Sequence, residues 1–206
     1  MKEFYPDLRL KEIPQKQIFA RLGYRPGLTQ LSPQDKSIIQ KLFRESRRFI
    51  QPRFAYVSGQ IKIPDSGQVV IDGLRIVSND LANLLQNCFR AYGLAITIGR
   101  ELERWRDRLR DNKEMREAII VDAIGSEVVE ELTNDFNRQL NDWLAKDGYK
   151  TTRRFSCGYG DWSISGQKDF IDWLGAKNIG ISIRESFQLV PEKSVTALIG
   201  VYNEKK

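Results

Sequence analysis

The segment from Met115 to Leu144 carries Ile119, Ile120, Ala123, Ile124, Val128, Leu132, Phe136, Leu140 and Trp143 at helical spacing. Such a run is one apolar face of a very long helix, and a chain that makes it must lay other elements across that face. The helix is long for a globular protein, and Gly125 marks where a break is expected. Shorter helices surround it. Ser32-Pro33-Gln34-Asp35 is a helix start with serine as N-cap, proline at the first position and an acid at the third. Ile38, Ile39, Leu42 and Phe43 then form one stripe, and the helix is expected to run to Ile50, before Pro52. Gln15–Leu22 reads as a short helix stopped by Gly23. After Gly99, Leu102, Trp105 and Leu109 recur at helical spacing, with Arg100, Arg104, Arg106, Arg108 and Arg110 filling much of the rest.

Other segments have strand character. Phe54–Ser58, Ile61–Ile63, Val69–Ile71, Leu94–Ile98, Ile179–Ile183 and Val195–Val201 read as short strands. Asp65-Ser66-Gly67 and Asp72-Gly73 read as turns between them. Ser78-Asn79-Asp80 is expected to cap a helix through Leu81, Leu84, Leu85, Cys88 and Phe89, which would bury the Cys88 thiol in the core. Ser165–Leu174 reads as a helix, and residues 150–161 as a polar loop. Helices and strands without regular βα alternation predict an α+β fold: long helices on a twisted, mostly antiparallel sheet. A length of 206 residues predicts a single domain, 1–206, with residues 1–50 as a helical segment packed on it.

Composition removes whole classes of chemistry. Histidine is absent, which excludes histidine metal ligands, Ser-His and Cys-His nucleophile pairs and histidine proton shuttles. The two cysteines, Cys88 and Cys157, match neither a disulfide framework nor a zinc motif. No metal site and no catalytic side chain is therefore expected; binding and positioning are. No stretch approaches the length of a membrane span. The start, Met1-Lys-Glu-Phe-Tyr-Pro, lacks an apolar targeting region, so a cytoplasmic location is expected. The net charge of +6 comes from 33 basic and 27 acidic residues. The two signs are interleaved, which argues against nucleic acid as partner and suits an acidic or phosphorylated one.

Two motifs remain. Arg154-Phe-Ser-Cys-Gly-Tyr-Gly-Asp161 puts a cation, glycines, a tyrosine and an acid within one turn-rich stretch, the content of a small-molecule loop or of a cap. Glu185-Ser-Phe187, with Pro191 and Ser194-Val195 after it, is the second. Arg154, then three residues, then Gly158-Tyr159, followed by this second motif, resembles the reactivation domain of cobalamin-dependent methionine synthase, in the form of its small standalone relatives. The resemblance covers about Asp122 to Gly200 well and the N-terminal half loosely.

The resemblance implies an S-adenosylmethionine site, and an accessory role beside an enzyme rather than catalysis by this chain. The family docks over cobalamin that has oxidised to cob(II)alamin, so that a methyl group and one electron from an external donor, such as flavodoxin or ferredoxin, restore methylcobalamin. Cobalamin would come on a partner methionine synthase chain, because this sequence has no Asp-x-His-x-x-Gly loop and no histidine to ligate cobalt. By the same resemblance Arg154 would grip the methionine carboxylate, as a rigid guanidinium fork suits it. Ser156 would contribute backbone, Gly158 close approach or a positive φ, and Tyr159 a side chain at the ligand. Gly158 also reads as a plain turn glycine, and Tyr159 as a core residue with its hydroxyl at the edge. Glu130 would meet the α-ammonium group, with Glu131 in its place if the register slips by one. Glu185 would line the ligand side or hold the sheet edge.

Ser126 stands where the full-length enzyme has an acid near its displaced histidine, and Asp122, one turn earlier, is the candidate to replace it. Lys193 and Ser194, in a turn, would reach the corrin or the partner. Asp161 reads as the cap of the next helix or as a brace for the loop. The aspartate that the family contributes from its N-terminal part has no matched counterpart. The alternatives are an activator of another corrinoid-dependent methyltransferase, and a plain S-adenosylmethionine-binding module without a reactivation role.

Overall fold

The structure, a computed structural model, describes residues 4–25, 27–65 and 67–203. Met1–Glu3 and Ser66 of the expected 65–67 turn lie outside them. The helices are α1 (Gln15–Arg21), α2 (Pro33–Ser46), α3 (Asn79–Leu85), α4 (Glu101–Asp111), α5 (Met115–Ala145) and α6 (Gln167–Trp173). The strands are β1 (Arg53–Lys62), β2 (Gln68–Ile71), β3 (Leu74–Val77), β4 (Cys88–Thr97), β5 (Tyr149–Thr151), β6 (Ser182–Ile183), β7 (Leu189–Val190) and β8 (Ser194–Asn203). Six strands form one antiparallel sheet in the order β3-β2-β1-β4-β8-β5, and β6 pairs with β7 as a separate two-stranded hairpin. The fold is α+β.

The sheet separates two cores because its central strands alternate. Tyr92, Leu94 and Ile96 of β4, with Ala197, Ile199 and Val201 of β8, face α5, α2, α4 and the N-terminal segment. Ala91 and Ala95 of β4, with Leu198 of β8, face α3, α6 and the loop that carries Phe155, Cys157 and Trp162. Burial on both faces explains why residues 91–97 form a nearly continuous apolar run rather than an alternating one. Phe4, Leu8, Ile13 and Ile18 join the first core, so the N-terminal segment packs directly on α5.

At 31 residues, α5 is unbroken and spans about 46 Å. Gly125 does not interrupt it; it lets α4 and the turn before β8 come close. A Cβ there would lie 2.9 Å from Leu102 Cδ2 and 3.0 Å from Lys193 Cγ. The Ser32 start forms as expected: Ser32 Oγ accepts from the Asp35 N–H at 3.1 Å and the Asp35 carboxylate accepts from the Ser32 N–H, a complete capping box.

Other boundaries differ from the sequence reading. Helix α2 ends at Ser46, not Ile50. Strand β1 runs without interruption through Ser58-Gly59-Gln60, because its pairing with β4 extends from Arg53–Thr97 to Gln60–Arg90, and β4 begins at Cys88, which pairs with Tyr202 of β8. Cys88 is therefore a half-exposed strand residue and not part of helix α3. Residues 176–179 form a 3-10 turn, which leaves only Ser182–Ile183 extended. Tyr149–Thr151 is extended because it pairs with the end of β8. Among the described residues, no helix is long and apolar enough to cross a membrane.

Candidate functional site

Helix α5 and strand β8 hold the walls of a cavity of about 410 Å3, within the range of small-molecule sites. Glu130 comes from α5; Ser194, Val195, Thr196 and Ala197 come from β8. The 154–164 loop supplies Arg154, Ser156, Cys157, Tyr159 and Ile164, and α6 supplies Gln167. Phe187, Gln188 and Leu189 arrive on the β6–β7 hairpin. Both motifs singled out in the sequence thus line one space, although 24 residues separate Arg154 from Glu130 and 40 separate Ser156 from Thr196.

The loop is fastened to its surroundings at several points. Phe155 pairs with Leu198 of β8 through two backbone hydrogen bonds, 2.9 and 2.7 Å. Ser156 Oγ donates to the Thr196 carbonyl at 2.7 Å. The Tyr159 N–H donates to the Ser156 carbonyl and the Gly158 N–H to the Trp162 carbonyl, which closes a tight turn. Gly158 sits at φ +85°, in the left-handed region that glycine adopts without strain. The turn leaves Tyr159 67% exposed at the cavity rim, which rules out its reading as a core residue.

Asp161 braces the loop from the far side. It accepts hydrogen bonds from Ser78 Oγ, from the Asn79 N–H at 2.7 Å and from the Asp80 N–H at 3.2 Å. It therefore caps the start of α3, an earlier helix, not the one that follows it in sequence. The Ser78 hydrogen bond and those backbone N–H groups hold its carboxyl below the usual carboxylate range.

At the cavity wall Arg154 Nη2 donates to Glu130 Oε2 at 3.2 Å and to Asn134 Oδ1 at 3.0 Å. The arginine side chain is 26% exposed and that of Glu130 43%. A cation and an anion side by side at a solvent-open cavity match a zwitterionic head group, carboxylate to guanidinium and ammonium to carboxylate. Deeper in the cavity, buried Gln167 donates from Nε2 to Thr196 Oγ1 at 2.8 Å. Ile164, Leu189, Val195 and Ala197 add apolar surface, and Phe187 and Tyr159 add aromatic rings. Burial pushes the Cys157 thiol up to about 12, so at neutral pH it is protonated and offers no nucleophile.

The remaining expected residues lie elsewhere or are already engaged. Glu185 is exposed in the turn between β6 and β7 and does not line the cavity; its neighbours Phe187 and Gln188 do. Lys193 points inward, its side chain only 12% exposed, with Nζ 2.8 Å from Asp122 Oδ1 and 2.9 Å from Ser126 Oγ. Arg106 bonds the same Asp122 carboxylate at 2.9 Å and Glu192 at 2.8 Å. Burial works against the Asp122 charge, but the bonds from Lys193 and Arg106 outweigh it and hold this carboxyl below its usual range. Asp122, Ser126 and Lys193 thus form one ionic cluster beside the cavity. Ser194 lines the cavity and donates to Thr97 Oγ1 at 2.9 Å. Glu131 pairs with Arg138, away from the cavity, so the register puts Glu130 on Arg154.

Sequence reading missed Asn134, Gln167 and Thr196, and took Phe187 only as part of the second motif, with no role at the site. Asn134 could have been found, since it lies one turn after Glu130 on the same helix face. Thr196, a polar residue inside an apolar strand, was a visible signal too.

No protein-family model matches this sequence, and no curated protein matches it. Among solved structures, the chain superimposes on the MetH reactivation domain bound to AdoHcy with a TM-score of 0.64, over 94% of this chain and 74% of that one, at 14% identity. This chain has the reactivation-domain fold. The superposition carries the architecture, with its long helices and mostly antiparallel twisted sheet.

Proposed function

We propose that this protein binds S-adenosylmethionine in the cavity between α5 and β8 and presents it to cob(II)alamin held by a partner methionine synthase. The observation that carries the reading is the Glu130–Arg154 pair at the wall of a cavity of about 410 Å3. It is supported by a solved structure of the same fold that is bound to AdoHcy. Arg154 would hold the carboxylate and Glu130 the ammonium group, while the rings of Tyr159 and Phe187 offer faces to a planar base. Bound ligand would supply the methyl group, and an external donor such as flavodoxin or ferredoxin the electron.

The part of this chain is positional. Arg154 and Glu130 fix the amino-acid end, the β6–β7 hairpin and the 154–164 loop shield the middle from water, and the polar floor at Gln167 and Thr196 orients the remainder. Holding the reacting group in one geometry is the contribution expected of an accessory protein.

Calorimetric titration tests this reading. S-adenosylmethionine and S-adenosylhomocysteine should both bind saturably, at one site per chain. Methionine or adenosine alone should bind much more weakly, because each fills only part of the cavity. Failure of both whole ligands to bind would end the proposal. Binding without reactivation of a cob(II)alamin-loaded methionine synthase would instead leave an S-adenosylmethionine-binding module, or an activator of a different corrinoid-dependent methyltransferase.

A further inference from the structure

Gln167 puts an amide on a buried helix face. Helix α6 buries Phe170 and Ile171 in the second core, and Gln167 lies one turn earlier on the same side. The residue is only 3% exposed, and it lines the cavity between α5 and β8. A buried amide costs free energy unless its donors and its acceptor find partners. One partner is in place: Nε2 donates to Oγ1 of Thr196, which is itself buried. Among the described residues no hydrogen bond engages Gln167 Oε1.

This unpaired oxygen is not sealed inside the protein. Among the described residues, the side-chain polar atoms that are both unpaired and shut off from solvent are Arg90 Nε and Asn137 Oδ1. Gln167 Oε1 is not one of them, and in a side chain so deeply buried its opening is the cavity that the residue lines. The bond to Thr196 fixes the sense of the amide. With the nitrogen held at the wall, the oxygen is presented to the ligand space, and turning the amide over would break that bond. An amide oxygen only accepts, so this part of the cavity calls for a donor.

In the proposed site Glu130 and Arg154 take the amino-acid end of S-adenosylmethionine, which leaves the nucleoside for Gln167. Ribose hydroxyls both donate and accept, so either sense of the amide would suit them. The exocyclic amine of adenine donates, and it matches an amide oxygen alone. We propose that Gln167, anchored by Thr196, determines base specificity: its amide oxygen accepts from the exocyclic amine of adenine and rejects a purine that carries an oxo group there. The proposal rests on the S-adenosylmethionine reading and deepens it.

Calorimetry on the full chain with two probes tests it: S-adenosylhomocysteine, and S-inosylhomocysteine, in which an oxo group replaces that amine. The wild type should prefer the adenosyl compound roughly ten- to a hundredfold, the penalty for a buried acceptor that faces another acceptor. Gln167→Met keeps the length and bulk of the side chain without its polar atoms, and should bring the two affinities within about threefold of each other, chiefly by weakening the adenosyl compound. Thr196→Val keeps the shape of the wall but frees the amide to turn, and should shrink the preference while both probes still bind. A merely structural role for either residue would weaken both probes alike and leave their ratio as it was. Equal affinity of the wild type for the two probes, a preference for the inosyl compound, or an unchanged ratio in both variants would overturn the proposal; S-adenosylhomocysteine binding by the wild type would still leave the S-adenosylmethionine site standing. If one variant loses its thermal transition, the wild-type ratio and the other variant decide. If the wild type binds neither probe, the site falls and this refinement with it.

Discussion

Arg154→Ala should weaken S-adenosylmethionine binding roughly thirty- to a few-hundred-fold, ~2–3.5 kcal/mol, the lower part of the range for truncating one partner of a hydrogen-bonded charge pair. The lower part applies because the guanidinium is 26% exposed and water recovers part of the loss. Arg154→Lys should fall between, since a lysine keeps the charge but not the planar fork. The fold should be nearly untouched. What the protein itself loses is an exposed hydrogen bond to Asn134 and an ion pair with Glu130, whose side chain is 43% exposed, and such pairs contribute about 0–1 kcal/mol. Calorimetric titration of the wild type and both variants, with thermal melts as control, reads the two effects separately. Equal affinity of wild type and Arg154→Ala would remove Arg154 from the site.

The largest stability effect is expected at Phe136. Its ring is fully buried on α5 and meets Phe4 edge-on, with centroids 5.6 Å apart and planes at 84°, and Tyr56 at 5.9 Å. It joins three parts of the first core: the N-terminal segment, the sheet and the long helix. Phe136→Ala removes that contact and leaves a cavity between elements that cannot all close on it, a loss of about 3–5 kcal/mol. For a domain of this size the melting temperature should drop by roughly 6–20 °C. Ile119 belongs to the same apolar periodicity, yet it is 57% exposed, so Ile119→Ala should change stability by less than about 0.5 kcal/mol. Chemical denaturation of the two variants side by side makes the comparison. A small effect at Phe136 would mean that the N-terminal segment is not packed as described.

The contrast between these two residues shows how far the sequence can be read. Helical periodicity identified the long helix and most of its buried face, because a stripe spaced at 3.6 residues is a local property. It could not show that Ile119 lies where nothing covers the stripe, since cover depends on α2 and α1 arriving from elsewhere. Ser32 was legible for the same local reason: the cap and its acid lie three residues apart. Cys88 was misplaced because an apolar residue after a short helix continues the helical pattern equally well. Only its pairing with Tyr202 of β8 decides that it is a strand.

The candidate site divides along the same line. Arg154, Ser156, Gly158 and Tyr159 share one turn, so the motif placed them together. Glu130 was placed by family resemblance and helical register, and the structure sets it against Arg154. Glu185 was drawn in by its motif, but the hairpin aims Phe187 and Leu189 at the cavity and leaves Glu185 in the exposed turn. The contact of Asp161 with α3 crosses more than eighty residues, and no local pattern announces such a cap. Lys193 looked like a free turn cation; the glycine at 125 opens the space through which its stem reaches Asp122 and Ser126.

A crystal structure of the complex with S-adenosylhomocysteine tests the central claim most directly. The account predicts the ligand between α5 and β8, its carboxylate within hydrogen-bond reach of the Arg154 guanidinium, its ammonium group beside Glu130, and its sulfur turned toward the open side of the cavity. A ligand seated outside this cavity, or inside it with the amino-acid head away from Arg154, would contradict the account.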